Sequence, residues 1–341
     1  MTKTIRSLLA GVIVAGLGAT LLAQAQQING AGATFPAPIY TKWFSEYNKK
    51  TGVEINYQAV GSGAGIRQIT AMTVFFGATD GPMTNDQQLA APGRILHLPT
   101  VLGAVVPVYN IPGVSAELKF TGPVLADIFL GKITKWNDPA ITKLNGGVSL
   151  PAADVNVVHR SDGSGTTYIF ADYLAKVSPE WKKRVGVNTA LNWPVGLGGA
   201  QNPGVAALVK QTPGAIGYVE LIYALQNSIS YGSVQNASGA FVRGTMEGVT
   251  AAAAAAAGVM PPDFRVSITN APGATAYPIS SFTWMLLYEN PKDKKAAKTM
   301  VDFMQWALTE GQKFAEPLGY APLPASVVKL EMEALKKIKT Q

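Results

Sequence analysis

Between positions 38 and 50, Ile39, Trp43 and Tyr47 recur every fourth residue, with Lys49 and Lys50 at the end and Gly52 beyond. That spacing predicts an amphipathic helix with its stop signal. Val53, Ile55, Tyr57 and Ala59 then alternate with Glu54, Asn56 and Gln58, which is the period of a strand. A further helix is expected over 64–73, after a glycine-rich turn, and another over 168–177. Short apolar runs at 101–109, 155–158, 215–219 and 282–288 have the length of buried strands. Asn290 and Pro291 read as the cap of a helix whose Ala297, Val301, Met304 and Leu308 share one face. From Pro324 onward, Val327, Leu330, Ala334 and Ile338 mark a final helix. Strands that alternate with helices imply an α/β architecture with mostly parallel sheets. In such sheets ligands collect beyond the carboxyl ends of the strands, where helices begin.

Composition narrows the picture. The chain has 341 residues, 48% hydrophobic and 14% charged, with 35 glycines, 22 prolines and no cysteine. This excludes a disordered chain, a coiled coil and a disulfide-stapled miniprotein, and the length suggests two lobes. The formal net charge is +7, yet the densest basic run is Lys182, Lys183 and Arg184, too little for a nucleic-acid groove. His97 and His159 are the only histidines and fall short of a zinc site. Residues 1–25 open with Lys3 and Arg6, continue through an apolar run and end in Ala23, Gln24 and Ala25, the order of a cleaved secretory signal peptide. No further membrane span is expected, and the seven alanines at 251–257 read as a short surface helix in a loop.

Three glycine-rich turns stand between strands and helices: GAGATFP at 30–36, GSGAG at 61–65 and SDGSGTT at 161–167, the last following Arg160. Each joins a hydroxyl to a helix N-terminus that favours an anion. One such turn is most simply a helix cap, but three together point to an anion site. The P-loop pattern is missing, and neither Ser62 nor Ser164 stands in a nucleophile elbow. A fourth turn, FGATDGP at 76–82, places Asp80 among these donors. Asp80 is read either as a cap for the next helix or as a group that repels an anion unless the ligand carries a proton.

GAGATFPAP (30–38), GATDGP (77–82), RSDGSGT (160–166) and GAIGY (214–218) together resemble the periplasmic phosphate-binding protein of the ABC phosphate uptake system, the PstS family. LGKITKW (130–136), WPVGLGG (193–199) and LGYAPLP (318–324) extend the resemblance along the chain. It implies a two-lobed periplasmic binding protein fold of type II, with the ligand cleft between lobes joined by hinge strands. Lobe one would comprise 26–104 and 279–341, and lobe two 105–278. Motif by motif, it assigns Thr34, Phe35, Ser62, Asp80, Arg160, Ser164, Gly165 and Thr166 to the ligand. Thr34, Ser62, Ser164 and Thr166 would donate hydroxyl or amide hydrogens, and Phe35 and Gly165 backbone amides. Arg160 would bring the positive charge, Asp162 would orient it, and Asp80 would accept the ligand's proton. The implied function is capture of inorganic phosphate by a monomer in the periplasm and delivery to an inner-membrane ABC permease and its ATPase, without enzyme activity, metal or cofactor. Arsenate or another oxyanion is the alternative ligand, and a secreted phosphatase the alternative class. Two positions depart from the family: Phe75 stands where an acid is usual, which suggests altered packing beside the acid turn, and Gly81 where alanine is usual. The stretch 231–262 has no clear counterpart.

Overall fold

The computed structural model describes residues 27–341 apart from 257 and 259. The signal peptide read at 1–25 lies outside these residues. The chain begins with β1 (Ile28–Gly32), α1 (Ala37–Thr51), β2 (Ile55–Ala59), α2 (Ser62–Thr70), β3 (Phe76–Thr79) and α3 (Asn85–Ala90). A single long strand, β4 (Ile95–Asn110), leads to β5 (Lys119–Phe120), α4 (Gly122–Phe129) and α5 (Pro139–Thr142). There follow β6 (Asn156–Arg160), α6 (Gly165–Val177), α7 (Pro179–Arg184), β7 (Leu197–Gly199) and α8 (Gln201–Gln211). Next come β8 (Ala215–Glu220), α9 (Leu221–Gln226), β9 (Ser230–Tyr231), β10 (Ser233–Gln235), β11 (Phe241–Val242) and α10 (Met246–Ala256). The chain closes with β12 (Ser280–Tyr288), α11 (Lys294–Leu308) and α12 (Ala325–Leu335).

The main sheet runs β2-β1-β3-β12-β4-β8-β6-β7, with β9 on the side of β4, and β11-β10-β5 form a small second sheet. The expectation of mostly parallel strands is corrected. β1 pairs in parallel with β2 and β3, and β6 with β7 and β8, but β12 and β4 pair antiparallel with each other and with their other neighbours. The reason lies in β4. Residues 95–104 pair with β12, and from Val105 onward the same strand pairs with β8. A strand that leaves one half of the sheet for the other inserts itself and the returning strand against the local direction. Periodicity exposes only the apolar run within it, since His97, Pro99 and Thr100 interrupt the pattern.

Aromatic side chains fill both halves. Tyr40, Trp43, Phe44 and Tyr47 lie on the inner face of α1, and Phe44 and Tyr47 both meet Phe303 of α11. In the other half Phe170 stacks on Tyr218 at 4.4 Å, and Phe129 closes against both. Such rings contribute specific edge and offset contacts beyond the area they bury.

Several local expectations shift. α2 starts at Ser62, two residues earlier than read, so the serine itself opens the helix. α11 is capped by Asp293, which accepts from the Ala296 N–H at 2.9 Å, not by Asn290 and Pro291. The alanine helix lies at the surface with one face packed inward: Val249, Ala252 and Ala253 of α10 are buried against β4 and β12, while Thr250, Ala254 and Ala255 are exposed. Alanine permits that close approach where a larger side chain would hold the helix off. Phe75 does not sit beside the acid turn. It precedes β3 at the opposite end from Asp80, five residues and about 16 Å of extended chain away, in a groove with Met72, Val74 and Tyr288.

Glu331 of α12 is fully buried and neither carboxyl oxygen has a hydrogen-bond partner. Burial pushes its carboxyl well above the usual range. A carboxyl whose pKa is raised by folding favours the fold at low pH and loses that contribution as pH rises from the unfolded value upward. Glu331→Met is therefore expected to stabilise the protein at pH 7 by about 1–3 kcal/mol. Urea unfolding at pH 5 and pH 8 checks this, the variant showing the shallower decline.

Candidate binding site

The parallel strands deliver the four turns to one place. Thr34 and Phe35 follow β1, Ser62 opens α2 after β2, Asp80 follows β3, and Arg160 ends β6. Ser164 caps α6 through its hydroxyl, which accepts from the Thr167 N–H at 3.0 Å, and Gly165 and Thr166 form the first turn. Ser62, Asp80, Arg160, Ser164 and Thr166 are all buried, although none belongs to an apolar pattern. Polar groups persist in such a place only when they satisfy one another or a ligand.

The two halves of the molecule meet here. Ser62 Oγ accepts from the Gly165 N–H at 3.0 Å and from the Asp80 N–H at 3.3 Å. The Gly63 N–H donates to the Gly163 carbonyl at 2.9 Å. Glycine is required at Gly165, where a Cβ would stand 2.5 Å from Ser62 Oγ and 2.6 Å from Asp80 Oδ2. Gly165→Ala is expected to weaken ligand binding by about tenfold, since the halves must separate to admit the methyl group. Calorimetric titration of the variant measures that loss.

Arg160 is only 3% exposed and is the one buried lysine or arginine among the described residues. Its Nε donates to Asp162 Oδ1 at 2.8 Å and Nη2 to Asp162 Oδ2 at 2.5 Å. This fork fixes the guanidinium plane and leaves Nη1 near Thr166 Oγ1, at 3.4 Å. Partial burial works to raise the Asp162 carboxyl, but the Arg160 contacts and the Gln201 N–H at 2.8 Å hold it below its ordinary value. The ion pair is thus close to neutral as a unit, and N–H and O–H groups are the other donors the cluster contains.

Asp80 is not a helix cap. Thr84 caps α3, with its hydroxyl accepting from the Gln87 N–H, while Asp80 turns inward. Thr283 Oγ1 of β12 donates to Asp80 Oδ1 at 2.7 Å, and Ser62 Oγ lies 3.4 Å from Oδ2. Burial raises the Asp80 carboxyl to about 7, against the opposing pull of the Thr283 hydroxyl, Arg160 and Ser62. Oδ2 is the weakly engaged oxygen, free to take a stronger hydrogen. Gly81, the departure from the family pattern, has a local cause: a Cβ there would stand 2.7 Å from Tyr168 Cγ, so the tyrosine ring occupies the place of a methyl group.

Motif reading missed several residues. Asn202 of α8 donates from Nδ2 to Thr34 Oγ1 at 2.9 Å and to Thr166 Oγ1 at 3.1 Å. The Tyr223 and Tyr320 hydroxyls donate to the Thr34 and Phe35 carbonyls, each at 2.6 Å. Thr283 carries the only signal that was available, a hydroxyl inside the apolar run 282–288. The histidines stand elsewhere. His97 accepts from the Met83 N–H at 3.0 Å and burial lowers its pKa to about 3, while His159 stacks on Trp193 at 4.7 Å. Among the described residues no group of three or more His, Asp or Glu is placed to hold a metal.

A family model described as a PBP superfamily domain matches residues 18–310. The phosphate-binding protein PstS of Pasteurella multocida strain Pm70 is 47% identical over 329 residues, which span 96% of this chain and 94% of that relative. The chain belongs to the PstS family. A phosphate-bound high-affinity periplasmic phosphate-binding protein has the same fold, with a TM-score of 0.72 at 21% identity over 89% of this chain and 92% of its own. An ABC-type phosphate transport receptor from Vibrio cholerae aligns with a TM-score of 0.58 at 19% identity over 87% of this chain and 100% of its own. The fold is therefore the type II periplasmic binding protein fold, and this PstS family member shares it along nearly its whole described length.

Proposed function

We propose that this chain captures hydrogen phosphate outside the cytoplasm and hands it to an ABC-type importer. The observation that carries the reading is a buried cluster of hydrogen donors around one fixed cation and one carboxylate oxygen, Asp80 Oδ2, with only a long contact to the Ser62 hydroxyl at 3.4 Å. Phosphate at neutral pH offers that hydrogen and three further oxygens to the donors. Sulfate offers none and would face the ionised carboxylate. Relatives named phosphate-binding protein PstS support the ligand, and a family of binding proteins supports binding without turnover.

Lobe one is assigned to 26–104 and 279–341, and lobe two to 105–278. The change of partner along β4 at Val105, from β12 to β8, supports that division and makes β4 a hinge strand. In this reading Thr34, Phe35, Ser62 and Asp80 hold the ligand from lobe one, and Arg160, Ser164, Gly165 and Thr166 from lobe two. Closure presents the joined lobes to a membrane permease and its ATPase, with the protein acting as a monomer. Residues 1–25 serve as the export signal, which the mass of the mature chain tests.

The deciding experiment is a calorimetric titration with phosphate and then sulfate, after bound anion has been removed by unfolding and refolding. One-to-one phosphate binding with sulfate silent is expected. Equal binding of sulfate, or no heat with phosphate, overturns the reading.

A further inference from the structure

Asn202 is the second residue of α8, fully buried, and its amide is oriented by contacts on both sides. Its Oδ1 accepts from the Glu220 N–H at 3.0 Å. A backbone N–H must face an oxygen, so this bond sets which end of the amide looks toward the cleft. Nδ2 then reaches two hydroxyls at once, Thr34 Oγ1 at 2.9 Å and Thr166 Oγ1 at 3.1 Å. Each hydroxyl oxygen receives a second hydrogen: Thr34 from the Asn202 N–H at 3.4 Å, and Thr166 from Arg160 Nη1 at 3.4 Å.

A hydroxyl has two acceptor lone pairs and one hydrogen to donate. With both lone pairs of Thr34 and Thr166 facing N–H donors, each side chain retains a single capacity, donation of its own hydrogen. Thr34 follows β1 and Thr166 lies in α6, so the two belong to opposite halves of the molecule. We propose that Asn202 is a positioning residue that locks the Thr34 and Thr166 hydroxyls as hydrogen donors toward the bound oxyanion and does so only when the halves have met. This rests on the reading that both threonines touch the ligand. It adds that one side-chain amide supplies the shorter of the two hydrogens that fix the polarity of each. A free hydroxyl rotor would accept as readily as donate, and would have to give up that freedom on binding. The lock removes that cost and biases the pocket against ligands that need an acceptor at these points.

The test is a double-mutant cycle on phosphate affinity. Asn202→Ala removes the shorter of the two hydrogens on each hydroxyl and is expected to weaken phosphate binding about tenfold. Asn202→Asp keeps the size of the side chain and the acceptor for the Glu220 N–H, but its second oxygen demands hydrogens from the same hydroxyls, so a loss of about a hundredfold is expected. The aspartate variant guards against misfolding of the alanine variant. Both are then placed in a chain carrying Thr34→Val and Thr166→Val. If the amide acts through the hydroxyls, each penalty shrinks by about tenfold in that background. Penalties that stay the same in both backgrounds overturn the proposal, because charge or packing alone would then account for them. A wild-type chain that binds no phosphate overturns the underlying reading of the site, and this proposal with it.

Discussion

Replacing Asp80 by asparagine is expected to raise sulfate affinity by about a hundredfold while phosphate affinity changes by less than about tenfold, which collapses the discrimination between the two anions. The carboxylate oxygen Asp80 Oδ2 faces the donor cluster with only the Ser62 hydroxyl at 3.4 Å beside it. In the proposed site phosphate would supply a hydrogen to this oxygen, and the resulting charge-assisted bond would offset the desolvation of both partners. A fully deprotonated oxyanion supplies none, and two negative oxygens then meet in a buried place. A single unmet bond of that kind costs roughly 1.5–3 kcal/mol before repulsion is added. Asparagine turns an N–H toward the ligand instead, which suits sulfate and leaves phosphate one unprotonated oxygen to offer.

The same argument has a pH signature. Burial holds the Asp80 carboxyl near 7, above its ordinary value. As pH falls from 8 to 6 the group gains a proton and can donate, so the wild-type chain is expected to bind sulfate better at the acid end. The Asp80→Asn variant has nothing to titrate there and should stay flat. Sulfate titrations at both pH values measure this, and a wild-type ratio that ignores pH would remove Asp80 from the selectivity account.

Loss of Arg160 carries the second large effect. Arg160→Met is expected to weaken phosphate binding by about a thousandfold or more, and Arg160→Lys by about a hundredfold. No other lysine or arginine among the described residues is buried, so the charge has no buried substitute. Removal also strands Asp162, whose carboxylate takes both guanidinium bonds and would keep only the Gln201 N–H among the contacts named here. Breaking the pair from one side leaves the half-buried Asp162 charge uncompensated, at a cost below the roughly 3–5 kcal/mol of a fully buried pair. Lysine restores the charge but cannot form the planar fork that aims Nη1 past Thr166. Binding by Arg160→Met within tenfold of the wild type would mean that backbone and hydroxyl donors alone carry the anion.

Much of the site was legible in linear order. Thr34, Ser62, Arg160 and Ser164 each lie in or beside a glycine-rich turn at a helix start, and the chemistry of such turns is local: φ freedom, a hydroxyl cap and exposed N–H groups. Asp80 was legible as an anomaly, an acid among anion-binding turns. Asn202 and Thr283 were not, because an asparagine near a helix start and a threonine in a strand are ordinary residues until folding brings them to Thr34 and Asp80. Tyr223 and Tyr320 likewise reach the Thr34 and Phe35 carbonyls across 189 and 285 residues.

The fold divides in the same way. The helices at 38–50 and 168–177, the strand at 53–59 and the apolar strands could be read from the period of their side chains, because amphipathic patterning is enforced residue by residue as each element buries one face. The mixed direction of the sheet could not, since it depends on which distant strand lies beside β4 on each part of its length. Nor could the burial of one face of the alanine helix, whose composition suits a surface or a tight interior contact equally well. By itself the sequence determined the strongly periodic elements, the donor turns and the presence of an acid among them. The tertiary structure alone decided how those donors are aimed, because hydrogen-bond direction at a hydroxyl or an amide is set by neighbours that chain order does not reveal.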